Sequence, residues 1–498
     1  MFSGIFAGAE AFFTLSNILI ALLGVVLGII VGAIPGLGPS MAVAVLVPIT
    51  YAMHPSTGML LLMGVFCGAV YGGSITAILL NVPGTPANVA TMWDGNTLAR
   101  KGYPKKALST AIIASFVGGI LSALALLFAS EPIAKLSLKF GPAELAALAI
   151  WGLSIICSLE SHDLLKGLLA AGLGLFVATI GISPEQGTPR YTFGVINLYT
   201  GINYVSAMIG LFCFPEIVSM ASAVKGKVIS ASAPDDRTLL SGRELRRILP
   251  TSLVEGLIGT IIGTLPGAGG TIASFISYNN AKSRSKDPSV FGTGELRGIA
   301  APESSNNGAS ASSLIPLLTL GIPGSATAAV FLGALTIHGL QPGPLLFSKN
   351  PEVVYCLLVG TLVIQVMMVV IGLLGATRLS VVSQTPVGLL APFILIFSVI
   401  GSYATNNNFF EIGVMLVFGI VGCFMKKFGF SRAAFILAII LGPLVERNIT
   451  RALQLSDGAI GPLFSGPICI ALYSITILML ALPFIQKYFR NRKASKQQ

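Results

Sequence analysis

The sequence is poor in charged residues, and this scarcity decides its class. Asp, Glu, Lys and Arg make up 10% of the 498 residues, whereas a soluble globular domain contains about 25%. Hydrophobic residues make up 54%, and the mean hydropathy is +0.86. Apolar runs of the length that crosses a bilayer as a helix recur along the chain. The composition therefore predicts an all-α polytopic membrane protein.

Histidine and cysteine are scarce as well, which leaves little material for metal or nucleophile chemistry. The three histidines are scattered, and the six cysteines are isolated and form no Cys-x-x-Cys pair. No zinc signature, disulfide framework or catalytic triad can be recognised in this pattern. The sequence therefore predicts that the protein is not an enzyme and that it needs no cofactor.

The net charge is +11, and the positions of the basic residues indicate the membrane topology. The basic residues form short clusters between apolar runs instead of one basic face, so nucleic-acid binding is not indicated. The positive-inside rule places these clusters, and the C-terminus with them, in the cytoplasm. They lie at 100–106, 225–247, 282–286, 426–432 and from Lys487 onwards. No Lys or Arg precedes the first apolar run, so residues 1–16 are predicted to be an interfacial segment and not a cleaved signal.

Proline and glycine interrupt the apolar segments at four places, which form two matched pairs. The stretch "GAIPGLGPS" (32–40) resembles "GTLPGAGGT" (263–271), and "LNVPGT" (80–85) resembles "LGIPGS" (320–325). The arms around the first pair are too short to cross the bilayer twice, so each is predicted to be a re-entrant hairpin. Each break of the second pair interrupts a segment long enough to cross, and is predicted to divide a spanning helix.

Each half then contains one hairpin, one broken span and four ordinary spans. Five crossings is an odd number, so the two halves are predicted to be inverted repeats with about eleven crossings in total plus two hairpins. The predicted organisation is an N-terminal segment at 1–16, a first repeat at 17–224, a cytoplasmic linker at 225–247, a second repeat at 248–448, and a C-terminal span with a basic tail at 449–498.

Interrupted helices at matching places in inverted repeats indicate the binding site of a secondary transporter. A break exposes N–H groups, with the positive end of the helix dipole, at the start of the following half-helix, and these suit an anion. Glycine lets the backbone approach a ligand. The predicted substrate-binding residues are Gly36, Gly38, Ser40, Gly84, Thr85, Asn88, Gly267, Gly269, Gly270, Thr271, Gly324, Ser325 and Thr327.

The carbonyl groups that end the preceding half-helices suit a cation. The candidate site for a coupling cation comprises Pro35, Asn81, Pro83, Pro266, Asn306, Asn307, Thr319 and Pro323. The alternative explanation of the glycines is close helix packing, for which Gly-x-x-x-Gly pairs such as Gly28/Gly32 and Gly259/Gly263 are typical.

Two acidic residues lie within the predicted membrane segments. Glu255 is in the first arm of the second hairpin, and Glu303 opens the second broken span. An ionisable group there indicates a proton or cation site. For Glu303 the nearby basic loop leaves a surface ion pair as the alternative. The polar stretch "ESSNNGASASS" (303–313) is predicted to line a cavity, with a polar packing surface as its alternative.

Four long motifs carry a resemblance to a known family. They are "GAIPGLGPSMAVAVLVPITY", "GGSITAILLNVPGTPANVATMWDGNTLARKGYPKKAL", "GTLPGAGGTIASFISYNNAKSRSK" and "GIAAPESSNNGASASSLIPLLTLGIPGSATAAVFLGAL". At these residues the chain resembles the large membrane subunit, TctA, of the tripartite tricarboxylate transporters. The residues carried over are the turns 35–38, 83–85, 266–270 and 323–325, with their polar neighbours.

The resemblance implies three cooperating proteins in the bacterial inner membrane and periplasm. A periplasmic binding protein delivers the substrate, a small membrane subunit of four helices binds alongside, and this subunit performs uptake driven by a sodium or proton gradient. An elevator motion of the hairpins and broken helices is implied too. The substrate is a carboxylate, citrate or another. The alternatives are an anion channel, or a carrier for another small organic anion that works without a binding protein.

Overall fold

The protein is described by a computed structural model that covers residues 2–34, 37–159, 164–183, 186–223, 240–267, 269–379 and 387–494. It is helical nearly throughout. Within these ranges, β-structure is confined to Gly181–Ile182, which pairs antiparallel with Pro189–Arg190. Among the described residues, six helices are long and apolar enough to cross a membrane. The all-α polytopic class is therefore confirmed.

The helices of the first half follow the predicted order of hairpin, broken span and ordinary spans. They are α1 (Phe2–Phe12), α2 (Leu15–Gly32), α3 (Pro39–Thr50), α4 (Pro55–Leu80), α5 (Val89–Arg100), α6 (Pro104–Ser137), α7 (Pro142–Leu159), α8 (Leu164–Ala178) and α9 (Tyr204–Ala223). Short 3-10 helices lie at Pro86–Asn88 and Ile196–Leu198. The apolar run at 195–218 predicts one span, but residues 195–203 form a loop with the 3-10 turn Ile196–Leu198, and α9 begins only at Tyr204. Apolar composition alone does not fix where a helix begins.

The second half repeats this order. Its helices are α10 (Gly242–Gly263), α11 (Gly269–Ser283), α12 (Leu296–Ser312), α13 (Leu314–Leu320), α14 (Ala326–Ile337), α15 (Leu346–Lys349), α16 (Pro351–Leu379), α17 (Val387–Asn406), α18 (Phe409–Phe428), α19 (Arg432–Leu455) and α20 (Pro467–Ala494). Short 3-10 helices lie at Pro288–Val290 and Gly461–Leu463. The helices α2 and α3, and α10 and α11, form the arms of the two hairpins.

Glycines bring the first arm of each hairpin against the following broken helix. A Cβ atom on Gly28 of α2 would lie 2.4 Å from the carbonyl oxygen of Val65 in α4, and one on Gly259 of α10 would lie 2.2 Å from that of Ser305 in α12. Such distances leave no room for a side chain, so the two backbones are in direct contact. The packing role considered for these Gly-x-x-x-Gly pairs is therefore present in both halves.

The helix α12 is unusual because it is polar and yet almost completely buried. Every residue from Gly298 to Ser312 is buried. Hydroxyl groups of α12 donate hydrogen bonds to nearby backbone carbonyl oxygens. Ser304 donates to that of Ser252 in α10, and Ser312 donates to that of Gly308 one turn earlier. Such bonds pair most of the serine hydroxyls of this buried helix, while the hydroxyl of Ser305 has no partner among the described residues. The stretch 303–313 thus serves as a polar packing surface over part of its circumference.

The remaining long helices pack across the two halves. The helix α8 packs on α19 and α9 packs on α18, while α7 packs on α19 and α17 packs on α9. The broken helices pack mainly on the hairpins and on α6 and α16: α4 contacts α2 and α16, and α12 contacts α10 and α6.

Candidate functional site

One cavity of about 530 Å³ lies where the four breaks meet. Residues from both hairpins and both broken helices line it together. Nine of the sequence-predicted site residues are among them: Gly38, Ser40, Thr85, Gly269, Gly270, Thr271, Asn306, Ser325 and Thr327. These residues come from the two halves of the chain, so the fold brings together what the sequence separates by more than two hundred positions.

The cavity is surrounded by helix N-termini. The helix α3 begins at Pro39 and α11 at Gly269, and residues of their first turns line the cavity. The helix α14 begins after the cap residue Ser325, whose hydroxyl accepts the N–H of Ala328 at 3.1 Å. The 3-10 turn Pro86–Asn88 leads into α5. The first turns of helices leave N–H groups without intrahelical partners and carry partial positive charge, so the cavity suits an anion.

Hydroxyl groups form hydrogen bonds at the cavity wall, and one of these bonds joins the two halves. Thr327 of α14 donates to the hydroxyl of Ser40 in α3 at 3.4 Å. Ser325 donates to Ser313 at 3.1 Å, and Thr85 donates to the side-chain oxygen of Asn88 at 2.6 Å. The polar wall is therefore made of short side chains and backbone, which leaves the space free for a ligand.

Three of the predicted glycines fasten the breaks instead of lining the cavity. The N–H of Gly84 donates to the carbonyl of Gly73 at 3.3 Å, and that of Gly324 donates to the carbonyl of Ser313 at 3.1 Å. The N–H of Gly267 in turn donates to the carbonyl of Gly324 at 2.9 Å. These contacts tie each break to its own spanning helix and the second hairpin tip to the second break.

The other predicted residues lie away from the cavity wall. Asn81 caps α4 in the left-handed conformation and lines a second cavity with Trp93 and Arg100. Asn88 is buried behind Thr85, and Thr319 donates to the carbonyl of Ile315. The remaining described members of the candidate sites are also absent from the lining of the first cavity: Pro83, Pro266, Asn307 and Pro323. Pro35 and Gly36 lie outside the described residues.

The cavity wall contains a charged residue that the sequence analysis did not include among the candidates. Arg432, the first residue of α19, lines it together with Ser431 and Ala433. Among the described lining residues it is the one that carries a formal charge. The guanidinium lies 5.5 Å from the ring centre of Phe212 and 3.5 Å from a carboxylate oxygen of Glu216. A cation at the start of a fifth helix strengthens the preference for an anion.

Aromatic and aliphatic side chains form the rest of the wall. Phe66 and Val70 come from α4, Phe212 from α9, and Phe430 from the loop before α19. An apolar wall with a few convergent polar groups is typical of sites for small organic ligands. The segment 426–432 was recognised from the sequence as a basic loop, and the serine before Arg432 is a helix-capping signal, but nothing local shows that this loop reaches the hairpins.

Glu303 is completely buried, so the surface ion pair considered for it is wrong. Its carboxylate accepts hydrogen bonds from Asn88 at 3.2 Å, Thr91 at 2.6 Å and Ser115 at 3.0 Å. All three donors belong to the first half. Glu255 is also buried, and its carboxylate accepts a hydrogen bond from Asn280 in the second arm of the same hairpin at 2.8 Å.

The chemistry of the described residues gives no metal cluster. Groups of three or more His, Cys, Asp or Glu side chains that could hold a metal ion do not occur in the described ranges. The polar groups at the cavity are hydroxyls, one carboxamide, backbone N–H groups and a guanidinium. This set can bind and orient an organic anion.

Two comparisons with known proteins place the chain among relatives. Residues 18–437 match the model of the tripartite tricarboxylate transporter TctA family. The chain is 36% identical over 485 residues, 97% of its own length and 96% of the relative's, to an uncharacterised 52.8 kDa protein of the TAR-I ttuC' 3' region in Agrobacterium vitis. It is 35% identical over 227 residues to an uncharacterised protein of the TAR-II ttuC' 3' region in the same organism, which covers 46% of this chain and 94% of that relative.

The family model spans most of the chain, including both hairpins, both breaks and Arg432. Family membership implies a transport protein of a tripartite system rather than an enzyme, and the apolar helices agree with a multi-pass membrane location. The chain therefore belongs to the tripartite tricarboxylate transporter TctA family.

Proposed function

We propose that the chain is the substrate-translocating subunit of a binding-protein-dependent secondary importer of tricarboxylates or related carboxylates. A sodium or proton gradient drives the uptake. The observation that carries this proposal is the convergence of helix N-termini and Arg432 on one cavity. A carboxylate needs N–H donors, partial positive charge and a cation, and all three line the same space.

The residues proposed to bind the substrate are those of the four turns and their neighbours. Ser40, Thr85, Thr271 and Ser325 mark the start of the four half-helices, and Arg432 supplies the formal charge that complements the substrate carboxylate. A coupling cation is proposed at the carbonyl ends near the breaks. Of the candidate cation ligands, Asn306 lines the first cavity and Asn81 lines the second. The proposed cation ligands therefore lie on more than one side of the breaks.

Inverted repeats are part of the proposal, with the boundaries 17–224 and 248–448 on either side of the linker 225–247. Matched packing supports them: α2 packs on α4 as α10 packs on α12, and the reciprocal contacts of α8 with α19 and α18 with α9 are those expected when two halves exchange places. Two inverted halves with hairpins and broken helices at the centre support an elevator motion.

The cavity is proposed to be exposed to the cytoplasm in this conformation. The loop that carries Phe430, Ser431 and Arg432 contributes to its lining, and the positive-inside rule places this basic loop in the cytoplasm. The proposed location is the bacterial inner membrane, with about eleven crossings and a cytoplasmic C-terminus. The proposed partners are a periplasmic substrate-binding protein and a small four-helix membrane subunit.

Thermal stabilisation of the purified chain by a panel of carboxylates tests the site. A ligand that binds the folded state raises the melting temperature, and runs in sodium and in sodium-free buffer identify the cation. Uptake into proteoliposomes with the two partner proteins tests the mechanism. Accumulation against a gradient, lost when the cation gradient collapses, supports the importer; equilibration without accumulation identifies the anion-channel alternative. Uptake that needs no binding protein identifies the simple carrier.

A further inference from the structure

Glu303 sits at a place where a carboxylate is costly. It lies in α12 and none of its surface is exposed. Its three hydrogen-bond donors, Asn88, Thr91 and Ser115, are neutral groups. Glu303 forms no ion pair with any residue that the structure describes. A buried charge needs a partner or becomes neutral by binding a proton, and ionisable groups inside membrane proteins mark ion and proton sites.

A short chain of hydrogen bonds connects Glu303 to the cavity wall. Thr85, which lines the cavity, donates to the side-chain oxygen of Asn88 at 2.6 Å, and the side-chain nitrogen of Asn88 donates to Glu303 at 3.2 Å. The carboxyl group is therefore two hydrogen bonds away from the surface that would contact a ligand. Glu303 belongs to the second half of the chain and both intermediates belong to the first.

The charge of Glu303 determines which group donates and which accepts in each of these hydrogen bonds. An ionised carboxylate only accepts hydrogen bonds, so Asn88 must turn its NH₂ group toward Glu303 and its oxygen toward Thr85. The hydroxyl of Thr85 then donates to that oxygen, and its proton is not available to an anion in the cavity. A protonated Glu303 donates instead, and allows Asn88 to turn its oxygen toward it. The hydroxyl of Thr85 is then free to donate to a carboxylate.

We propose that Glu303 binds the proton that accompanies the anionic substrate. This inference rests on the proposed function, because it takes the proton as the coupling ion of the same importer and places it on Glu303 in place of a cation at the carbonyl ends of the breaks. One proton passes from water to a carboxylate oxygen of Glu303 when the substrate binds, and returns to water on the cytoplasmic side when the substrate leaves. No other bond is made or broken. The proton on Glu303 and the substrate at Thr85 thus favour each other.

The other titratable groups around α12 have partners elsewhere, except Tyr71 and one carboxylate oxygen of Glu255, which has no hydrogen-bond partner among the described residues. On α4, Tyr71 interacts with the charge of Glu303, and its buried hydroxyl has no hydrogen-bond partner among the described residues. The occupied groups are Asp94 of α5 with the loop 292–295, Lys106 of α6 with Glu244 of α10, Glu131 with Lys135 on α6, Glu255 of α10 with Asn280, and Tyr278 of α11 with Asp94. Glu303 is therefore the carboxyl of this region whose proton is linked to the cavity.

Infrared spectroscopy of the purified full-length chain in lipid, as a function of pH, tests the proton site without any substrate. The expected result is a protonated-carboxyl C=O band that titrates in the wild type and in the matched control E255Q, but is missing in E303Q. A band that persists in E303Q, or that does not titrate in the wild type, overturns the proposal. Ser115→Ala removes a donor to the ionised form, so the band is expected to appear at higher pH. This second variant keeps the assignment testable if E303Q does not insert.

Uptake of citrate into proteoliposomes that also contain the two partner proteins provides the second readout. An inward proton gradient is expected to raise the uptake by the wild type and by E255Q several-fold. In E303Q the ratio of uptake with and without the gradient is expected to fall to one, while exchange of citrate continues. Stimulation that survives in E303Q contradicts the proposal. If the wild type transports no citrate, the proposed function fails for that substrate, and the infrared band still decides the role of Glu303.

Discussion

The N–H of Gly267 donates to the carbonyl oxygen of Gly324 at 2.9 Å, which fastens the tip of the second hairpin to the break in the second spanning helix. Gly267 has a φ of +77°, a conformation that glycine adopts without strain. Gly324 is held in turn by Ser313, one helix earlier. The tip and the break are thus a single hydrogen-bonded unit, and the first half repeats one of its links at Gly84 and Gly73.

We expect Gly324→Ala to destabilise the protein. A Cβ atom at this position would lie 2.8 Å from the carbonyl oxygens of Gly263 and Ser313, and overpacking against backbone costs about 1–3 kcal/mol. The melting temperature of the purified variant measures this loss. Gly172→Ala is the matched control, because a Cβ atom on this helical glycine of α8 meets nothing within 4 Å. Equal melting temperatures for the two variants would show that the break is not tightly packed.

A second substitution narrows the cavity without straining the backbone. In Gly270→Ala the new Cβ atom would lie 2.1 Å from the side-chain oxygen of Asn306, so that amide has to move within the cavity wall. We expect carboxylate-induced thermal stabilisation to be lost while the melting temperature of the ligand-free protein changes little. Gly413→Ala in α18 is the control, since its Cβ atom would meet nothing within 4 Å and Gly413 does not line the cavity. Full thermal stabilisation of the Gly270 variant by the same carboxylate would show that Asn306 is not part of the binding site.

Local chemistry explains why the breaks could be found from the sequence. Proline removes a backbone donor and glycine removes a side chain, so "LPGAGG" and "IPGS" interrupt an apolar run visibly, and each occurs in two copies. The order of hairpin, broken span and ordinary spans follows from these interruptions and from the basic loops. The nine predicted residues that line the cavity all lie at these breaks or within a few turns of them.

Tertiary contacts explain what the sequence did not reveal. Arg432 follows a loop that is remote along the chain from every break, and it reaches the cavity because α19 begins beside Phe212 of α9. Glu303 lies near a basic loop in the sequence, yet α6 and the first broken helix cover it completely. The helix start at Tyr204 is not evident from the sequence either, because apolar residues such as Val195, Ile196 and Leu198 precede it in the loop.

Asp94 is expected to be important for the position of the second hairpin. Its carboxylate accepts the N–H groups of Gly292, Gly294 and Glu295 and the hydroxyl of Tyr278, all at 2.8–3.0 Å. This loop connects α11 to α12. Asp94→Ala leaves three N–H donors without their acceptor, so we expect a loss of about 3 kcal/mol or more in stability.

Asp94→Asn distinguishes hydrogen bonding from mere volume. The amide oxygen can keep the three N–H bonds and its NH₂ group can donate to Tyr278, so we expect a loss of about 1 kcal/mol, which reflects the missing charge. Melting temperatures of the three proteins should therefore fall in the order wild type, asparagine variant, alanine variant. If the two variants melt together, the loop is held by packing and not by this carboxylate.

Arg432 gives the most direct test of how the cavity selects anions. Arg432→Met keeps the apolar stem and removes the guanidinium. A charge-assisted hydrogen bond contributes about 1.5–3 kcal/mol, so we expect the affinity for a carboxylate to fall by about tenfold to one hundredfold. The same measurement on Lys427→Met controls for net charge, because Lys427 is an exposed cation in the last turn of α18, in the same basic segment, and does not line the cavity. A general electrostatic effect lowers both affinities alike and weakens with salt, whereas direct recognition lowers the affinity of the Arg432 variant alone.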